Sequence, residues 1–365
     1  MEIYVGLYLL FSIVAFLDLT NMKREKKTIV IIMLATIISV VSGIRWQTGT
    51  DWMPYYNFFV NNENIDDFLE SKYNFESGYA FLNYIIKNSV ESYNFLLFVI
   101  TSVIVTLKYQ TIYKYCIFPF IAIWINFANF NGDLFPVRQF IAIAILFFSI
   151  RYIVNKSIYK FILCIVIAAL FHISALIFLP AYKIYRLHFN NKKIIISIFV
   201  AIIIGYSGIL ESLINNILNS FIGADLNVMV KLAEYSSLDV NSVNDSSQMT
   251  SMIGLLRKSL FIPILLYCKS KLNGKVDIYE GLLNIYIFSV IFILMFSGVL
   301  EIVVGRMTIY YFCVESILIS FLFTVPSKIR YKIFLFFIMF VYCALKFSWG
   351  LAAYPDEFIP YKCIL

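Results

Sequence analysis

The sequence predicts an all-α, polytopic integral membrane protein. Three observations predict it. Charged residues make up 14% of the 365-residue chain, against roughly 25% in soluble domains. Hydrophobic residues make up 61%, and the mean hydropathy is +0.84. Apolar runs close to the length of a membrane-spanning helix, about 20 residues, recur along the whole chain. One transmembrane domain over 1–365 is expected, with about ten to twelve spanning helices.

The expected helices fall near 3–20, 28–44, 93–112, 116–131, 138–154, 193–210, 251–268, 276–297, 307–325 and 331–349. The first apolar run has no basic region before it and no small-residue cleavage site after it, so it reads as a retained helix. The segment 158–182 differs. Its two apolar halves meet at Phe171-His172-Ile173-Ser174, and each half, roughly 15–20 Å as a helix, is too short for a core of about 30 Å. A broken or re-entrant pair with His172 at its tip is the favoured reading. The alternative is one ordinary span, which reverses the orientation of everything after it.

Orientation follows from Lys and Arg. Most of the 29 basic residues gather in a few short connections: Lys23 to Lys27, Lys108 and Lys114, Arg151 to Lys160, Lys183 to Lys193, Lys269 to Lys275, and Lys328 to Lys332. These predict the cytoplasmic face. Both termini and the long loops 45–92 and 211–250 are then outside. Basic residues spaced between apolar runs are topology signals, so the net charge of +7 points to no nucleic acid partner. The six cysteines lie far apart, without a CxxC or Cys/His cluster. Neither a metal site nor a disulfide framework is expected.

The outer loops differ in character. Loop 45–92 is aromatic-rich and is expected to be ordered, with an amphipathic run over 80–90. Loop 211–250 is polar and turn-rich around 236–247, and reads as a mobile lid or, more simply, a tolerated spacer.

The stretch with most chemistry is Gly43-Ile44-Arg45-Trp46-Gln47-Thr48-Gly49-Thr50-Asp51-Trp52-Met53-Pro54-Tyr55-Tyr56. It follows an apolar run directly and concentrates Arg, Asp, Trp and Tyr. An interfacial aromatic belt with one anchoring Arg is the plainer reading. A ligand-binding loop held against the membrane surface is the sharper one.

Few cations remain for the outer face: Arg45, Arg138, Arg257, Lys258 and Arg306. An Arg in a spanning segment costs at least about 2.5–3.5 kcal/mol on insertion scales, and its planar fork matches phosphate oxygens. A lipid-linked phosphate or pyrophosphate is the natural ligand for such a set. Arg138 and Gln139 open a helix after Gly132 and Pro136, where an anion is favoured; an Asp133–Arg138 pair is the competing reading. A Glu301–Arg306 bridge competes for Arg306, and an interfacial anchor explains Arg257 with Lys258. His172 is either a hydrogen-bonded structural residue or a general base near neutral pH. Asp51 and Glu76 can orient a sugar hydroxyl, accept its proton, or pair with Arg45. No P-loop, GxSxG, HExxH or DxD-type pattern is present.

Several of these pieces together resemble the EpsG family. They are Gly43 to Trp52 with Tyr55-Tyr56, then Phe75-Glu76-Ser77-Gly78-Tyr79, Val137-Arg138-Gln139-Phe140-Ile141-Ala142, Leu170-Phe171-His172-Ile173-Ser174-Ala175-Leu176, and the ending Pro360-Tyr361. The stretch 194–300 contributes nothing to the resemblance. The resemblance implies a GT-C-like fold and a Wzy-type polymerase of O-antigen, capsule or exopolysaccharide. It implies action on undecaprenyl-pyrophosphate-linked oligosaccharides at the outer, periplasmic side of the bacterial cytoplasmic membrane, with no metal and no cofactor. Arg45, Arg138 and Arg306 would then hold the departing pyrophosphate, with Arg257 and Gln139 as further contacts. His172, Asp51 or Glu76 would take the acceptor proton, and Trp46, Trp52, Tyr55 and Tyr79 would stack on sugar faces. Membrane lipid, a chain-length regulator and a flippase are the further partners expected.

Three other functions compete. One is a different lipid-linked-sugar glycosyltransferase or a ligase. Another is a non-enzymatic flippase, which should carry charges along a path through several helices; away from the surfaces the sequence offers Asp18, Glu315 and Lys346. The third is a membrane acetyltransferase, which His172 would serve but the Arg set would not.

Overall fold

The computed structural model of the chain describes residues 1–20, 22–129, 133–210, 212–213, 245–272, 277–296 and 301–364, the side chains at 245–257, 277 and 301–303 excepted. Among the described residues the chain is helical and without strands. It forms two compact units, Met1–Leu179 with Glu315–Leu365, and Pro180–Val314.

The first unit holds α1 (Glu2–Phe16), α2 (Arg24–Ile44), α3 (Trp52–Asn61), α4 (Ile65–Leu69), α5 (Ser77–Val90), α6 (Tyr93–Tyr115), α7 (Pro119–Ala128), α8 (Arg138–Val154) and α9 (Ile158–Ala169). The second holds α10 (Ala181–Ile184), α11 (Asn191–Tyr206), α12 (Asp245–Leu272), α13 (Asp277–Met295) and α14 (Glu301–Phe312). The chain then returns to the first unit with α15 (Glu315–Ser320), α16 (Ile329–Ala352) and α17 (Pro355–Phe358).

Among the described residues five helices are long and apolar enough to cross a membrane: Glu2–Leu19, Arg24–Ile44, Tyr93–Tyr115, Ile278–Met295 and Ile329–Ala352. A sixth is counted if Val304–Phe312 and Glu315–Thr324 form one broken span. The all-α multi-pass class is therefore as the sequence predicts; ten to twelve spans are expected, and five or six helices of full spanning length lie among the described residues. α8 coincides with the expected 138–154 at 17 residues, and α11 has 16 residues where 193–210 is expected. Along their lengths α16 exposes Phe334, Phe337, Val341 and Leu345, and α2 exposes Ile29, Ile32 and Met33, as a lipid-facing surface requires.

The largest departure is at 116–131. Among the described residues there, the ten of α7 are helical, and all ten are buried. At about 15 Å, α7 covers half of a bilayer core of about 30 Å. Protein side chains rather than water must therefore satisfy its ends. Pro119 supplies the first turn, where its missing N–H costs nothing. Asp18, from the end of α1, accepts from the Ile121 N–H at 2.9 Å and pairs with Lys27 at 2.6 Å. At the other end Asn126 donates to Asp133 at 2.8 Å, and the other Asp133 oxygen pairs with Lys108 at 2.6 Å. Asn129 donates to Glu315 at 3.5 Å, and Glu315 pairs with Lys346 at 3.4 Å.

Lys108 thus departs from the sequence reading. It is 1% exposed inside the first unit, because α7 packs against α6 and brings Asp133 to it. Removing one partner leaves an uncompensated buried charge. Asp133→Ala and Lys108→Ala should each cost about 3–5 kcal/mol, and the joint Lys108→Met, Asp133→Leu variant should recover most of it. Thermal unfolding of the detergent-purified protein reads both.

The segment 158–182 is broken where expected. α9 ends at Ala169, Leu170 and Phe171 turn, and a 3-10 helix runs Ile173–Phe178 after an extended His172. Loop 45–92 is ordered, with α3, α4 and α5 packed around Phe58, Phe68 and Tyr79. Most of loop 211–250 lies outside the described residues.

In the second unit α13 packs against α11, α12 and α14. Its buried polar groups are tied to backbone: Tyr279 donates to the Leu265 carbonyl at 2.9 Å, and Asn284 to that of Leu187 at 2.5 Å.

Candidate functional site

Arg45 follows α2 directly, in extended conformation, and is 3% exposed. The C-terminal segment holds it there. Trp46 N–H donates to the Lys362 carbonyl at 2.9 Å, Ile364 N–H to the Ile44 carbonyl at 3.0 Å, and Gly49 N–H to the Glu357 carbonyl at 2.8 Å. Lys362 N–H donates to the Thr48 hydroxyl at 3.0 Å, and the Tyr361 hydroxyl donates to the Val41 carbonyl. From α6, Asn94 donates to the carbonyls of Gly43 at 2.6 Å and Arg45 at 3.1 Å. Gly49 has φ +112°, and a Cβ there would stand 2.9 Å from the Arg45 Nη1. The turn therefore needs glycine both for its conformation and for room.

The Arg45 guanidinium has one described hydrogen bond, Nη1 to the Thr48 carbonyl at 2.9 Å, and lies 5.4 Å from the Phe135 ring centre. Its Nε is buried and has no partner among the described residues. None of the described ion pairs includes it. An uncompensated buried cation is costly, several kcal/mol even after relaxation. It borders a cavity of about 220 Å3 whose walls include Asp51, Tyr55, Phe135, Val137 and Tyr354. A cation on such a wall is suited to an anion arriving from outside the protein.

Tyr55 joins this cavity to a second cluster. Its hydroxyl accepts from Arg138 Nε at 3.1 Å. Burial pushes the Tyr55 phenol above its ordinary value, so it stays protonated. Arg138, the first residue of α8, also pairs with Glu76 and lies 3.9 Å from the Phe75 ring centre. The second Glu76 oxygen accepts from the Ile173 N–H at 3.2 Å. Beside it, His172 Nδ1 is 2.7 Å from the Ser174 hydroxyl. Gly78 N–H donates to the Leu170 carbonyl at 2.8 Å, and a Cβ at Gly78 would meet that carbonyl oxygen at 2.7 Å. Three segments far apart in sequence thus meet at Glu76.

Several pairings weighed from sequence are replaced. Asp133 pairs with Lys108, and Arg138 with Glu76. Asp51 is exposed at the start of α3 and has no described ion pair with Arg45. Trp52 and Tyr79 are 4% and 3% exposed. Trp52 stacks on Tyr56 at 4.7 Å, and Tyr79 packs against Tyr55, Phe58 and Phe75. Their faces serve packing. Trp46 stands edge-on to Trp52 at 4.9 Å and is half-buried. Gln139 is half-buried beside Arg138. Arg306 is exposed on α14 of the second unit, and Arg257 is on α12, its side chain outside the described set.

Sequence reasoning missed the Phe135 wall, the clamp by residues 357–364 and the Lys108–Asp133 support. The first two had a signal, an aromatic between Gly132 and Pro136 and a polar ending after a long apolar helix. Lys108 had none, since one Lys near a helix end reads as a topology residue.

Fold and site define a multi-pass α-helical membrane protein whose first unit combines a buried arginine cavity with an arginine–carboxylate cluster. The chain belongs to the EpsG family, whose model matches residues 27–363. That is a Wzy-like family of polysaccharide polymerases, so a glycosyltransferase-like polymerase activity is implied. No curated protein and no solved structure matches the chain.

Proposed function

We propose that the protein joins undecaprenyl-pyrophosphate-linked oligosaccharide repeat units at the outer face of the bacterial cytoplasmic membrane. The observation that carries this reading is Arg45: a buried cation without a described carboxylate partner, on the wall of a cavity, in a family of polysaccharide polymerases. Orientation rests on charge. The cavity is at the end of α2 and the start of α6, whereas Arg24, Lys27 and Lys114 gather at their opposite ends, the cytoplasmic side by the positive-inside rule.

In the proposed reaction an acceptor sugar hydroxyl attacks the anomeric carbon of the growing glycan. The new glycosidic C–O bond forms as the bond to the pyrophosphate breaks, and lipid pyrophosphate leaves with the electron pair. Arg45 and Arg138 bind its oxygens and offset the developing charge. The hydroxyl proton passes to Glu76, with His172 as the other candidate base. Glu76 is favoured because it occupies Arg138 in the free protein. A phosphate that takes its place on Arg138 frees a carboxylate oxygen to accept the hydroxyl proton. Its second oxygen remains held by the Ile173 N–H.

A flippase would carry charges along a path. The buried charges Asp18, Lys108, Asp133, Glu315 and Lys346 are each paired and fixed around α7, which favours a structural role. Deletion in the native host separates the readings. Loss of the polysaccharide ladder with retention of a single capped repeat unit supports a polymerase. Loss of the capped unit supports a flippase, and an intact ladder overturns both.

A further inference from the structure

A second cavity, of about 310 Å3, opens at the ends of α2 and α6 opposite the Arg45 site. It is lined by Met22, Arg24, Lys27, Tyr113, Lys114 and Ile117, among others. Lys27 is committed to Asp18. Arg24 and Lys114 are exposed and belong to none of the described ion pairs.

A basic residue that served only as a topology signal would need no fixed position. Arg24 has one. The Tyr113 hydroxyl accepts from Arg24 Nε at 3.2 Å and from the Thr28 hydroxyl at 2.9 Å, and donates to the Arg24 carbonyl at 3.0 Å. The guanidinium lies 5.0 Å from the centre of the same ring. Ring and hydroxyl together hold the cation at the cavity wall before any ligand arrives, which lowers the ordering cost of binding. The nitrogens not used by Tyr113 leave a fork suited to a phosphate, and Lys114 adds a point charge.

The lip is apolar. Ile117, 56% exposed, and Met22 line the same cavity. α2 and α6 are both long enough to span a membrane, so their ends reach headgroup level. A free phosphate has no use for the apolar lip, whereas a phospholipid carries its own apolar chains. We propose that this cavity is a binding site for the phosphate headgroup of an anionic glycerophospholipid, with Arg24 and Lys114 on the phosphate and Ile117 and Met22 against the upper acyl chain. The site is separate from the Arg45 cavity and does not depend on the reaction proposed there.

The test uses the full chain purified in neutral detergent and titrated with short-chain phosphatidylglycerol, short-chain phosphatidylcholine or inorganic phosphate. Native mass spectrometry counts bound lipid, and thermal unfolding gives apparent affinity. Phosphatidylglycerol should bind and raise the melting temperature, with the other two weaker. Each cation near an anionic lipid contributes about fivefold in affinity. Lys114→Gln should therefore weaken binding about fivefold, and Arg24→Gln with Lys114→Gln on the order of 20-fold. Lys328→Gln with Arg330→Gln, exposed cations elsewhere, should leave it unchanged. Lys114→Gln guards against a folding failure of the double variant, since Lys114 is exposed and its described contact is the Tyr115 ring. Equal response to phosphatidylcholine, equal competition by inorganic phosphate, or wild-type affinity in Lys114→Gln would each overturn the proposal.

Discussion

Arg45→Met is expected to abolish chain extension while leaving the protein as stable as before, or more so. Methionine keeps much of the volume and removes the charge. Arg45 is 3% exposed, its Nε is without a partner among the described residues, and its one described hydrogen bond is to the Thr48 carbonyl. Losing that bond costs about 1 kcal/mol, and removing an uncompensated buried charge returns at least as much. Activity should move the other way. A preorganised group aimed at developing charge typically contributes about 10²–10³ in turnover, so the ladder should collapse to the single repeat unit. Arg45→Lys keeps the charge but loses the planar fork, and should recover only part of the activity. Thermal unfolding and a polymerisation assay, on the same membrane preparations, decide the matter. A large drop in melting temperature in Arg45→Met would mean that the arginine is structural.

Glu76→Gln should uncouple binding from turnover. Glutamine can still accept from the Ile173 N–H, now 3.2 Å from a Glu76 oxygen, but it cannot form the ion pair with Arg138 or take a proton. Turnover should fall by about 10²-fold or more, the usual contribution of a general base. Lipid-pyrophosphate binding should be unchanged or tighter, because the carboxylate no longer competes for Arg138. Both partners of that pair keep some exposure, 18% each, so solvent screening limits its worth to folding and the melting temperature should move little. Arg138→Ala should instead weaken binding. A normal rate in Glu76→Gln would pass the base role to His172; weaker binding with a normal rate would make Glu76 a positioning group for the 171–174 turn. Polymerisation by wild type with a purified repeat unit is the control that separates failure of this role from failure of the proposed function.

Much of the fold was legible because lipid imposes a simple code. A segment that must satisfy its own backbone is a helix, and a long apolar run announces it. α2, α6 and α16 follow directly. The code fails for α7, whose ten residues are apolar because they are buried in protein. Hydropathy cannot tell lipid from protein interior, so a short central helix reads as a span. The same limit hid Lys108: the sequence records a charge near a helix end, while its environment depends on Asp133, 25 residues later.

The candidate site divides in the same way. Arg45, Glu76, Arg138 and His172 stood out because polar groups beside apolar runs are rare. Their partners did not. Arg138 could equally have met Asp133, and Arg45 could have met Asp51. What decides is which helix packs on which. α7 against α6 commits Asp133 to Lys108, and the Gly78–Leu170 approach brings Glu76 to Arg138 and the broken segment.

By itself, then, the sequence determined an all-α multi-pass protein, the break at His172 and the outlying arginines, because each follows from local apolarity and its interruption. Only the tertiary structure decided that Arg138 is compensated and that Arg45, among the described residues, is not. Charge compensation depends on distances of a few ångströms between segments far apart in the chain, such as Arg138 and Glu76, 62 residues apart, and no local pattern encodes those distances.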